Sequence, residues 1–476
     1  MTFADYAKHD GLGLAKLVHR KEVKPAELVE AAIERIERHN PALNAVIWTM
    51  FERAREMARK KLPDGPFKGV PFLLKDIMGH MEGVPNREGT RLTPDLPSPV
   101  TDELVHRYLA SGLIPLGKTN VPEFGLVPTT ESKLYGPARN PWNVAHSTGG
   151  SSGGSGAAVA SGMVPMAHAN DGGGSIRIPA SACGLVGLKP TRARNPLGPL
   201  MGDMMSGLCI DHIVCRTVRD CAAMLDVTAG PGLGDPYFAP EGPKSWLAAM
   251  GKAPGKLRIA VATTRFDGSA FHPEVTAATH AAAKLCKDLG HKVEEAMPPV
   301  QQDQMSGAFM ALWTGGLAMQ IDLIAGMTGK KPGPKTLEGL TLGLYEAGQK
   351  VTAGQYLTAV LHLQTLARHV AAWHERYDVW LTPTLASPPI PIGTIDFSER
   401  DPMKSIGPII DYVPFTGLQN VTGQPAINLP LHMTADGLPV GIQFVGRQGA
   451  EALLLQLART IEKAVPWKHR HPSIWN

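Results

Sequence analysis

Gly149-Gly150-Ser151-Ser152-Gly153-Gly154-Ser155-Gly156 and Asp171-Gly172-Gly173-Gly174-Ser175-Ile176-Arg177-Ile178-Pro179 are the stretches on which the reading of this chain turns. Between them Ala157-Ala158-Val159-Ala160 is small and apolar and reads as a tightly packed helix; Gly184 and Gly187 follow. Three explanations compete. A flexible Gly/Ser linker fits poorly, because linkers do not alternate with apolar packing segments. A phosphate loop would need the lysine and hydroxyl of G-x-x-x-x-G-K-[ST], which are missing. An acyl-transfer site fits better: glycines let backbone amides converge on one point, as an oxyanion hole requires. A serine closing such a run can be the nucleophile.

A serine nucleophile needs a base. Histidine is the usual partner, and 17 histidines are available. Ser175 does not sit in a G-x-S-x-G elbow, since Ile176 and Arg177 follow it. His168, alone in an apolar segment, reads as structural. His469 and His471, without further ligands, read as a solvated tail rather than a metal site. Lysine is the remaining base type, and it serves only if burial and neighbours keep it neutral. Lys75 ends the apolar run Lys68-Gly69-Val70-Pro71-Phe72-Leu73-Leu74-Lys75, where it is a candidate. Pairing with a carboxylate is the other reading, and Asp76 is adjacent.

Outward from this centre, short apolar runs alternate with helical patterns, the signature of an α/β sheet. Strands are expected at 68–75, 114–117, 257–262, 379–383 and 440–445. Helices are expected at 6–18, 25–40, 104–109, 273–289, 304–329, 356–373 and 450–463, with Asn40-Pro41 ending the second. No repeat, linker or charge block divides the chain. One large domain over residues 1–476 is expected, with a less regular region near 230–350 covering the site.

Of 476 residues 51 are glycine, about 11% against a usual ~7%, and eleven of these fall within residues 149–187. The formal charge is only +4 and there is no basic block, which argues against nucleic acid as a partner. No apolar stretch approaches the ~18 residues of a spanning helix, and the charged N-terminus lacks a signal-peptide core. Five cysteines without a Cys-x-x-Cys pair argue against a disulfide framework or zinc site, and point to a reducing, cytoplasmic compartment.

Taken together, these stretches resemble the amidase signature hydrolases. Gly69-Val70-Pro71 with Lys75-Asp76 matches the family's lysine motif, and Lys118-Thr119-Asn120-Val121-Pro122-Glu123-Phe124-Gly125 matches further on. The glycine-serine stretches match, as do Gly184-Leu185-Val186-Gly187-Leu188-Lys189-Pro190-Thr191, Gly423-Gln424-Pro425-Ala426 and Gly437-Leu438-Pro439-Val440-Gly441-Ile442-Gln443. The signature core spans 69–191, and the resemblance covers nearly the whole chain. It implies a central mixed, twisted β-sheet covered by helices on both faces. It also implies a Ser–cis-Ser–Lys triad: Ser175 as nucleophile, Ser151 as bridging serine after a cis peptide bond, and Lys75 as base. The backbone N–H groups of Gly172, Gly173, Gly174 and Ser175 would form the oxyanion hole. Asp171 and Arg177 would support the loop. The resemblance implies a small-molecule amide substrate and a homodimer, with no metal and no organic cofactor.

Two positions depart from the commonest pattern. Ala169-Asn170-Asp171 stands where the family often has Gly-Thr-Asp, and Gly172 where Thr or Ile is common. The Asp-Gly-Gly-Gly-Ser-Ile-Arg-Ile-Pro form looks most like the branch containing the 6-aminohexanoate cyclic-dimer hydrolases. It looks less like the glutamyl-tRNA amidotransferase subunit, where Gln commonly follows the Arg. The expected activity is cleavage of a carboxamide C–N bond in amides, anilides, cyclic amides or carbamates. The alternative is a glutaminase-type subunit of a tRNA-dependent amidotransferase. A binding protein that merely keeps the fold is disfavoured by the intact Ser175, Ser151 and Lys75.

Overall fold

Ahead of the glycine-rich stretch, and besides two small hairpins at 131–147, lie β1 (Val46–Thr49), β2 (Pro71–Lys75) and β3 (Ile114–Thr119). They form a small sheet in the order β1-β3-β2, with β2 and β3 parallel and buried along their whole length. Burial on both faces is why they read as continuous apolar runs rather than alternating ones. The computed structural model describes residues 1–475.

Eight further strands build the central sheet: β4 (Met166–Asp171), β5 (Val186–Lys189), β6 (Ile210–Cys215), β7 (Arg258–Val261), β8 (Lys292–Glu295), β9 (Val379–Pro383), β10 (Ala426–Met433) and β11 (Pro439–Gly446). Their order is β8-β7-β9-β11-β10-β5-β6-β4. The sheet is mixed: β8, β7 and β9 run parallel, and every later pair is antiparallel. Helices flank both faces, as the alternation along β11 shows. Gly441 faces Ser181 of the helix Arg177–Ala182, and Gln443 accepts from Arg177 on the same side. Gly446, of opposite parity, packs on Leu454 of the helix Glu451–Ala464.

Terminal strand β4 carries the site and lies beside β2 of the small sheet. The Lys75 N–H donates to His168 Nδ1 at 3.2 Å, and Asn170 Nδ2 donates to the Ile77 carbonyl at 2.9 Å. The helix Gly153–Ala160, buried at every residue, packs against β4 and explains the demand for glycine, alanine and serine there.

Some expectations are corrected. The N-terminus forms three helices, Phe3–Ala7, Gly11–His19 and Pro25–Leu43, because Asp10 caps a new helix by accepting from Gly13 N. Asn40-Pro41 does not end its helix. Pro41 lies in the last turn, and Asn44 in the left-handed conformation closes it, donating to the Asn40 carbonyl. Within 230–350, β7, β8 and the helix Pro273–Asp288 belong to the central sheet and its cover, whereas Gln302–Thr328 and Gly339–Gly348 pack together nearer the site. By length and composition Gln302–Thr328 could cross a membrane, which no unbroken apolar run had suggested. It packs on the helix Ala353–His374, and 44% of its most apolar window is buried.

Candidate active site

The site begins with how the turn after β4 is held. Asp171 ends the strand and is fully buried, as is Arg177. Arg177 grips the carboxylate with two donors, Nε to Oδ2 at 2.9 Å and Nη2 to Oδ1 at 2.8 Å. Its remaining N–H groups reach Gln419 and Gln443 from Nη1 at 2.9 and 2.7 Å, and Asn420 from Nη2 at 2.8 Å. Asn420 returns a donor to Asp171 Oδ1 at 2.9 Å. Burial alone would raise the Asp171 carboxyl, but the Arg177 charge and hydrogen bonds hold it below the usual carboxylate range. A satisfied buried pair of this kind fixes geometry more than it adds stability.

Pinned at both ends, the chain from Asp171 to Arg177 makes a tight turn. The Gly173 carbonyl accepts from Thr416 Oγ1 at 2.6 Å, and the Gly174 carbonyl accepts from Ile178 N at 2.7 Å. Gly174 has φ +140°, a conformation side chains rarely adopt, and a Cβ there would collide with Thr416. A Cβ on Gly172 would lie 2.9 Å from Cys209 Sγ and 3.1 Å from Trp313. Among the described residues, nothing accepts the backbone N–H groups of Gly172, Gly173, Gly174 and Ser175. Four amide donors are thus left at one turn, as an oxyanion site requires.

Ser175 and Ser151 line one narrow cavity of about 30 Å³, and are 8% and 2% exposed. The peptide bond Gly150-Ser151 is cis. Lys75, fully buried at the tip of β2, brings its Nζ to 2.7 Å from Ser151 Oγ. Burial pushes the Lys75 ammonium down to about 7, against the opposing pull of Asp211 and Asp171. A second buried lysine, Lys118, braces the turn beyond Lys75, donating to the Gly79 carbonyl and to Asn86 Oδ1, both at 2.8 Å.

The expected residues Lys75, Ser151, Ser175, Gly172, Gly173, Gly174, Asp171 and Arg177 therefore converge on one place. The sequence reading missed Asn170, whose Oδ1 lies 2.5 Å from Lys75 Nζ. Its signal was the departure Ala169-Asn170-Asp171. Trp313 and Phe309 stack at 5.3 Å on the helix Gln302–Thr328 and cover the glycine turn. The sequence marks them as part of an apolar, Met-rich helical region with aromatic residues, and the fold places that region over the glycines. His168, expected to be structural, supports the Lys75 backbone from within the core.

A mixed α/β sheet that gathers two serines and a buried lysine around one cavity is the equipment of a hydrolase. The sequence matches the Amidase family over residues 27–455. It is 37% identical to the 6-aminohexanoate-cyclic-dimer hydrolase of Paenarthrobacter ureafaciens, over 98% of this chain and 97% of that protein. Among solved structures, the 6-aminohexanoate cyclic dimer hydrolase complexed with substrate superposes with a TM-score of 0.93 at 37% identity, covering 99% of this chain and 100% of the other. A bacterial aryl acylamidase of the amidase signature family superposes with a TM-score of 0.90 at 26% identity, covering 98% of each. The chain belongs to the amidase signature family, hydrolases acting on amide bonds.

Proposed function

We propose that this chain is a serine amidohydrolase working through an acyl-enzyme on Ser175, with Ser151 and Lys75 completing the triad. The observation that carries this reading is the 2.7 Å approach of Lys75 Nζ to Ser151 Oγ in the cavity that also exposes Ser175. Neutral Lys75 takes the proton of Ser151, and Ser151 takes that of Ser175. Ser175 Oγ attacks the amide carbonyl, and the N–H groups of Gly172, Gly173, Gly174 and Ser175 receive the oxyanion. The amine leaves with a proton returned along the same route. Water then cleaves the acyl-enzyme. Residues 1–476 act as one catalytic unit, in line with the family match over 27–455. The family resemblance further carries a homodimer in the cytoplasm, and the five cysteines are all unpaired.

The cavity favours a slender, uncharged acyl group. Ile77, Met78, Phe124, Met204, Met205 and Trp313 supply apolar surface, while the one carboxylate lining it, Asp171, is taken up by Arg177. Glutamine, the substrate of the alternative reading, carries an ammonium and a carboxylate that would have no free counter-charge there. The names of the two solved relatives, a cyclic-dimer hydrolase and an aryl acylamidase, agree with neutral amides and anilides. The test is a panel of amides, anilides, cyclic amides, esters and carbamates followed by mass spectrometry, with acyl trapping on Ser175. Ser175→Ala must abolish turnover while the protein stays folded. Turnover of glutamine alone, and only with partner chains present, would instead favour the amidotransferase subunit.

A further inference from the structure

Asn170 is 7% exposed, and both ends of its carboxamide are engaged. Nδ2 donates to the Ile77 carbonyl at 2.9 Å, and Oδ1 faces Lys75 Nζ at 2.5 Å. The Ile77 carbonyl needs a donor, which only the Nδ2 end of the amide supplies, so it fixes which end meets the lysine. Lys75 Nζ is thus held between Asn170 Oδ1 and Ser151 Oγ. A neutral amine has two N–H bonds and one lone pair. An N–H given to Asn170 leaves the lone pair free to turn towards Ser151.

We propose that Asn170 is a positioning residue: its carbonyl orients the Lys75 amine towards Ser151, and its lack of charge leaves that amine free to exist without its extra proton. This rests on the reading of Ser175, Ser151 and Lys75 given above. The groups facing Lys75 set a demanding balance. Asp211 on β6 is paired in register with Asn170, Asp171 ends β4, Cys209 precedes β6, and His168 touches the Lys75 backbone. The Asp171 charge is absorbed by Arg177. Asp211 is buried, with His168 Nε2 at 3.6 Å from its Oδ1. Asp211 and Asp171 already draw on the lysine. A further carboxylate at position 170, in contact with Nζ, would favour the ammonium.

The test reads nucleophile activation without depending on the natural substrate. An alkyl fluorophosphonate reacts as the Ser175 Oγ–P bond forms and fluoride leaves, the serine proton passing through Ser151 to Lys75. The labelling rate is followed by intact mass from about pH 5.5 to about pH 9.5, across the ordinary lysine range. Thermal midpoints are recorded for each variant. Asn170→Asp, the isosteric carboxylate, is expected to move the acid limb up by about one pH unit or more and to approach wild-type rates at alkaline pH. Asn170→Ala is expected to lower the rate about tenfold or more at every pH. Asn170→Thr, with a neutral hydroxyl acceptor, should leave the acid limb in place.

A folded Asn170→Asp variant with the wild-type limb overturns the proposal, as does an Asn170→Ala plateau within about twofold of wild type. If Asn170→Asp and Asn170→Ala fail to fold, an acid limb moved in folded Asn170→Thr overturns it equally. Wild-type protein that is not labelled at Ser175 overturns the triad reading and this proposal together. Labelling of wild type with unaltered variants overturns this proposal alone.

Discussion

Lys75 and Ser151 lie 76 positions apart in the chain, and their side chains meet at 2.7 Å between Nζ and Oγ. Lys75 arrives on the last residue of an entirely buried strand, and Ser151 on a cis peptide between two glycine pairs. A lysine at such a place is removed from water, and the groups its ammonium nitrogen meets are the Ser151 hydroxyl and the Asn170 amide rather than a carboxylate.

The first consequence concerns pH. Burial holds the Lys75 ammonium near 7, and only the neutral form can accept the Ser151 proton. The kcat/KM for a neutral anilide is expected to rise from acid towards alkaline pH through a limb near 7, where the anilide itself does not titrate. Lys75→Arg, charged at every accessible pH, should lose about a thousandfold or more. Initial rates across the range check both, and a maximum near pH 5 would contradict a lysine base.

The same burial has a stability cost. Lys75 titrates at about 7 in the folded protein against 10.5 unfolded, so between these values the unfolded chain binds the extra proton. Wild-type stability therefore rises with pH across that window, by ~1.4 kcal/mol per unit from this group. Lys118, near 8, and Lys189, near 7, act in the same direction. Lys75→Met removes only the Lys75 share. Its stability relative to wild type should fall by roughly 2 kcal/mol between pH 7 and pH 9. Urea midpoints at the two pH values measure this, and a constant difference would mean that Lys75 folds in its charged form.

Arg177 and Asp171 give a third test. Arg177→Met strands a fully buried carboxylate and should cost about 3–5 kcal/mol, with loss of Ser175 labelling as the turn loosens. Adding Asp171→Asn removes the stranded charge. The double variant is expected to recover part of the stability, because the loss comes mainly from the unpaired ion. Denaturant midpoints of the two singles and the double complete the cycle. A double variant as unstable as the sum of the singles would refute this account.

Legibility in the sequence followed the physics of each segment. β2, β3, β9 and β11 stood out because strands buried on both faces must be continuously apolar. β4 and β6 did not, although they are just as buried. Met-Ala-His-Ala-Asn-Asp and Ile-Asp-His-Ile-Val-Cys carry polar side chains into the interior, where they serve the site and each other. Ser175, Ser151 and Lys75 were reachable through the resemblance, since their spacing and glycine context are distinctive. Asn170 was visible only as an oddity. Its meaning depends on Lys75, 95 positions away, and on Ile77. Trp313 and Phe309 stood out only as members of an apolar, Met-rich helix, and the packing of that helix places them over the glycines.

That packing leads to the last prediction. Trp313 stacks on Phe309 and stands 3.1 Å from where a Gly172 Cβ would lie, so the indole occupies the space directly above the turn. The cavity left beside Ser175 is small, about 30 Å³. Trp313→Ala should open this space and shift selectivity towards bulkier acyl groups, raising the kcat/KM ratio of a benzoyl over an acetyl anilide by about tenfold. Trp313 is half-buried, so the stability loss should fall below the ~3–5 kcal/mol of a fully buried tryptophan. Paired kinetics on the two anilides, with denaturant midpoints alongside, measure both effects. If the acyl ratio stays fixed while the ratio for different amine groups moves, Trp313 faces the leaving group. The acyl chain would then have to enter past Met204 and Met205, which line the same cavity.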